Sequence, residues 1–112
     1  MLYIDEDNNI TLTRGDSAVL ELSIKDDGMS YDYSDDLVQL TIKRNTVTNE
    51  VLIQKTFTSG VVVIDPSDTK DLRYTDLKYD VQLIKNDGGG VHTVIPPRLF
   101  TIAEEVNFDV TG

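Results

Sequence analysis

Leu77-Lys78-Tyr79-Asp80-Val81-Gln82-Leu83 decides the fold class. Leu77, Tyr79, Val81 and Leu83 alternate with Lys78, Asp80 and Gln82. Side chains of a β-strand point to opposite faces in turn, so this period of two marks a strand with one face sealed and one face wet. A helix would need apolar residues three and four apart instead.

The same period recurs on both sides of this stretch. Upstream, Ile10 and Leu12 alternate with Thr11 and Thr13, and Ala18, Leu20, Leu22 and Ile24 with Val19, Glu21, Ser23 and Lys25. Val38, Leu40 and Ile42 alternate with Gln39, Thr41 and Lys43. Val51, Ile53 and Phe57 share a parity, with Lys55 marking a sheet edge. Val61-Val62-Val63-Ile64 is a short apolar strand. Downstream, Phe100 and Ile102 alternate with Thr101 and Ala103.

Turn chemistry separates these runs. Arg14-Gly15-Asp16, Asp26-Asp27-Gly28, Asn45 to Asn49 and Ser59-Gly60 each interrupt the alternation. Asn86-Asp87-Gly88-Gly89-Gly90 is a hairpin signal, because Gly and Asn reach positive φ at low cost. Pro96-Pro97 removes two backbone donors and predicts a strand break or a bulge on an edge. Asp65 to Leu72 departs from the pattern and predicts a crossover with one helical turn near residues 66–72, capped by Asp65 or Ser67.

Short strands at regular spacing predict an all-β sandwich or barrel; a count of seven to eight strands matches an antiparallel β-sandwich, and the pattern around Tyr79 makes it immunoglobulin-like. Its core is expected at Leu20, Leu22, Val38, Leu40, Ile42, Tyr79, Val81, Leu83, Phe100 and Ile102. A Tyr two residues before a core position on a late strand is the pattern of a tyrosine corner, so Tyr79 is read as structural. With 112 residues and no linker or repeat, residues 1–112 read as one domain.

Composition bounds the function. Twenty Asp and Glu against ten Lys and Arg give a net charge of −10. Such a surface is repelled by phosphate backbones and by anionic lipids, so no nucleic-acid and no membrane partner is expected. No apolar run approaches the ~20 residues of a transmembrane helix. The acidic start after Met1-Leu2-Tyr3-Ile4 shows no signal-peptide pattern. The chain has no cysteine, which excludes disulfides, thiolate metal sites and a cysteine nucleophile.

No catalytic, cofactor-binding or metal-binding residue is assigned, and the chain reads as a non-enzyme. His92 is the lone histidine and lacks a nucleophile and an orienting partner in the pattern that covalent catalysis needs. Asp5, Asp7 and Asn9 open like a calcium loop, but Ile10 stands where its glycine belongs and Asp16 where its glutamate belongs. A second acidic group, Asp26, Asp27, Asp32, Asp35 and Asp36, is read as solvated turns. Tyr31 and Tyr33 are the candidate stacking platforms if the domain binds a sugar.

Three segments together resemble a known family. Ile10-Thr11-Leu12-Thr13-Arg14-Gly15-Asp16-Ser17 is similar to the opening of the N-terminal domains of baseplate upper proteins from tailed bacteriophages of Gram-positive hosts. Ile64-Asp65-Pro66-Ser67-Asp68-Thr69, then Leu72 and Tyr79-Asp80-Val81-Gln82-Leu83, resembles their later segment. Val91-His92-Thr93-Val94 with Phe100-Thr101-Ile102 resembles their ending. The likeness runs from about Asn9 to Val106, and departs at Pro96-Pro97-Arg98, where those proteins often carry glycine. It implies a non-catalytic virion component, assembled in the host cytoplasm, that docks to other phage structural proteins or to further copies of itself. The alternative is a bacterial extracellular module that binds carbohydrate or protein.

Overall fold

The computed structural model describes residues 2–26, 28–86 and 88–104. Ten strands and one short helix follow in the order β1 (Leu2–Ile4), β2 (Ile10–Thr13), β3 (Ala18–Glu21), β4 (Lys25–Asp26), β5 (Met29–Ser30), β6 (Leu37–Lys43), β7 (Ile53–Thr56), β8 (Val61–Ile64), α1 (Pro66–Thr69), β9 (Thr75–Ile84) and β10 (Val91–Ala103). The protein is all-β and sandwich-like. A six-stranded sheet in the order β1-β2-β10-β9-β6-β7 faces the two-stranded sheet β3-β8, and β4-β5 forms a small separate hairpin. The run β10-β9-β6-β7 is the order of late strands, middle strand and hairpin partner found in variable-type immunoglobulin sheets.

The alternation sets the layers. Leu77, Tyr79, Val81 and Leu83 of β9 are buried, as are Val38, Leu40 and Ile42 of β6 and Phe100 and Ile102 of β10. Ala18, Leu20, Val62 and Ile64 close the core from the small sheet. Removing this apolar area from water is the main stabilising term, at roughly 25 cal/mol per Å2. Leu22 is only half-buried, because β3 ends at Glu21. Its partner β8 starts at Val61, so the last rung is Leu22 N–H donating to Gly60 O (2.9 Å).

Three details depart from expectation. The sheet is mixed, since β2 pairs parallel to the end of β10, Ile10 opposite Phe100 and Thr13 opposite Ala103. The count of ten strands exceeds seven to eight because β1 and the two-residue strands β4 and β5 add to the main set. Pro96-Pro97 does not end β10. It produces register shifts against β9 between Thr93 and Arg98. This internal strand tolerates the two prolines because β2 pairs only with residues 100–103, leaving the other side of the proline stretch outside the ladder.

The helical turn lies where the sequence places it, with Asp65 as the N-cap residue and Pro66 at its first position. Asp68 accepts the N–H of Asp65 (2.7 Å) and takes the Lys55 ammonium at 2.9 Å. Lys55 thus ties the edge strand β7 to the crossover.

Candidate functional site

Two corners that the sequence leaves separate meet in space. Gly15 sits at φ 82° between β2 and β3. Its N–H donates to Thr69 Oγ1 (2.9 Å), and Thr69 is the one buried polar residue among those described. Arg14 reaches the same crossover: its guanidinium donates to Leu72 O (3.3 Å) and Tyr74 Oη (3.1 Å) and lies 4.4 Å from the Tyr74 ring centroid. The Arg-Gly-Asp tripeptide is therefore a structural clasp in which Arg14 is committed within the chain.

The acidic loop between β1 and β2 is exposed but tied down by hydrogen bonds. Asp5 accepts the N–H groups of Asp7 and Asn9 and the Asn9 amide, and the Asn9 backbone bond is the main cause of its lowered pKa. Asp7 O accepts from Arg98 Nε (2.9 Å), Asn8 O from the Tyr79 hydroxyl, and Asn9 Oδ1 from Leu99 N–H (3.0 Å). Three consecutive residues thus receive β9 and β10, one bond each. Asn8 holds φ 65° to do so, a conformation Asn tolerates better than most residues. Among the described residues no three His, Cys, Asp or Glu side chains gather to hold a metal. Asp5, Asp7 and Asn9 serve as this tether.

Tyr79 corrects the corner reading in one respect. Its hydroxyl does bond a backbone group upstream, but 71 residues away and on another strand's loop. It pins the β1–β2 loop to the core instead of closing a local turn. Its ring packs edge-on against Phe100 at 6.2 Å, and burial pushes its pKa up to about 12.

A concavity of about 750 Å3 lies around Tyr31 and Tyr33. Leu22, Ile24 and Phe57 supply apolar wall, and Ser30, Asp32, Ser34 and Ser59 supply polar groups. The Tyr31 hydroxyl donates to Asp36 Oδ2 (2.7 Å), and the Lys85 ammonium lies 4.6 Å from its ring centroid. Asn86 N–H also donates to Asp36 (3.0 Å), which with the tyrosine bond holds the Asp36 carboxyl below its ordinary range. The Tyr33 hydroxyl donates to Leu22 O. Gly60, at φ 80°, lets the tyrosine approach, since a Cβ there would lie 3.1 Å from the Tyr33 hydroxyl oxygen. Both rings are half-buried and packed against the core, so neither is a free platform. The lining of this cleft holds no histidine.

The other expected positions stand apart. His92 is exposed, its Nε2 lying 3.0 Å from Gly89 O. Asp32 accepts the Ser34 N–H and its pKa is lowered chiefly by that bond. Asp35 is exposed. Asp27 and the side chain of Asp26 lie outside the described residues. Burial raises the pKa of Asp80 on the outer face of β9, partly offset by Lys43, but no second carboxylate lines the shallow groove there. The chain matches no family model, no curated protein and no solved structure.

Sequence reasoning missed Thr69, Lys85 and Asn86 as parts of these constellations. For Thr69 there was no local signal, since its bond with Gly15 spans 54 residues of chain. For Lys85 and Asn86 there was none, because their contacts with Tyr31 and Asp36 span about fifty residues of chain.

Proposed function

We propose that this domain is a non-catalytic docking module of a bacteriophage tail or baseplate, which attaches to other virion proteins. The observation that carries the reading is the sequence resemblance from about Asn9 to Val106; in the structure Arg14-Gly15 and Thr69–Leu72, two of its segments, form a clasp. Two segments that carry the family resemblance, the Arg-Gly-Asp opening and the proline–acid–threonine crossover, are joined by these bonds, while the strand order and the stretch from Asp68 to Tyr79-Asp80 are its distinctive parts. A β-sandwich with bonded, internally committed polar groups and loops at both ends suits a part that positions its neighbours. Fold alone does not give function, so the reading rests on the resemblance.

The test is the protein composition of gradient-purified tailed particles from cells that carry the gene. The domain is expected to co-purify with the particles in several copies each. Its complete recovery in the soluble fraction, with particles of normal tail composition, contradicts the reading.

A further inference from the structure

Among the described residues the small sheet has two open edges, one on β3 and one on β8, and only that of β3 borders an apolar groove between the layers. Leu22 donates to Gly60 O, so alternation along β3 turns the backbone groups of Ala18 and Leu20 toward β8. Those of Val19 and Glu21 face away from it. Among the described residues β3 has no strand on that side. Beside this edge runs a groove of about 330 Å3 between the two layers. Ile4, Ile10, Leu22, Val94 and Ile95 line it, and no β8 residue does. Ile4 is half exposed at 46%, although it sits opposite the buried Ile10. The rims are acidic: Glu21 is exposed on one side, and Glu6 and Asp7 are exposed in the loop between Ile4 and Asn8 on the other.

An edge with unpaired N–H and C=O groups takes a strand, and an apolar groove beneath it takes every second side chain of that strand. The remaining side chains stand outward beside Glu21, on a protein of net charge −10. From these three features we propose that β3 receives an extended segment of a partner protein, apolar and basic by turns, as an added strand. A second copy of this chain is disfavoured as the partner by its own acidity. This inference rests on the docking reading and names the surface through which docking occurs.

The probe is the hexapeptide Lys-Val-Lys-Val-Lys-Val, with a backbone N-methylated version of the same sequence as control. Amide hydrogen exchange is read at Val19 and Glu21. The unmodified peptide is expected to slow exchange at both amides, and the N-methylated one, which keeps charge and side chains but loses edge donors, to bind about tenfold more weakly. Ile4→Lys, which puts a cation into the groove, is expected to weaken binding by a similar factor, whereas Val63→Lys on β8 leaves it unchanged. Equal binding of the two peptides, or unprotected Val19 and Glu21 amides at saturation, overturns the proposal. The peptide assay does not depend on whether the domain occurs in virions, so a domain present in particles but indifferent to the peptide sinks the edge pairing alone.

Discussion

Tyr79 and Thr69 each join segments far apart in the chain. Removing the Tyr79 hydroxyl leaves Asn8 O without its partner, so Tyr79→Phe is expected to lose about 1 kcal/mol or more in denaturant unfolding. The same residue gives a pH signature. Its folded pKa is raised from 10 to about 12 by burial, so the neutral phenol is favoured in the folded state. The stability it contributes is complete below pH 10 and is lost as pH rises from 10 through 12. Wild type is therefore expected to show a fall in melting temperature across that window that is smaller in Tyr79→Phe. Thr69→Val keeps the shape but strands the Gly15 N–H, with an expected loss of about 1–3 kcal/mol. A loss within error of zero in that variant would mean that water satisfies the corner.

At the scale of elements, parity is the quantity under test. Leu40→Ala in β6 is expected to cost about 2–5 kcal/mol, since it opens a cavity in a closed core. Thr41→Ala, on the outer face of the same strand, is expected to cost under about 0.5 kcal/mol. Equal losses by chemical denaturation would mean that the inward face is wrong. This parity was legible from the sequence, because burial on one face writes a period of two into β6, β9 and β10. The α1 turn was legible too, from Asp65 and Pro66. What was not legible is long-range. The parallel pairing of β2 with β10 has no local signature. The prolines of β10 were readable as a bulge, but not as part of an internal strand, because that depends on where β2 stops pairing. The end of β3 at Glu21 is likewise dictated by its partner, since Leu22 and Ile24 continue its alternation. At the candidate site, Tyr31 and Tyr33 were readable as aromatics in a polar loop. Their commitments to Lys85, Asp36 and Leu22 O were not, because those partners arrive from other elements.

The whole molecule is an acidic two-layer sandwich whose hydroxyl, amide and guanidinium groups at Tyr79, Thr69, Asn9 and Arg14 are engaged within the chain. Its net charge of −10 acts on association, opposing contact with other acidic surfaces. Among the described residues β3 and β8 each keep an open edge, and beside β3 lies the groove proposed to take a partner strand. The most direct measurement is electron microscopy of tailed particles incubated with a monoclonal Fab against the folded domain. The account predicts Fab density at the tail or baseplate, repeated around the tail axis. Bare tails, with a Fab that still binds the isolated domain, would contradict it.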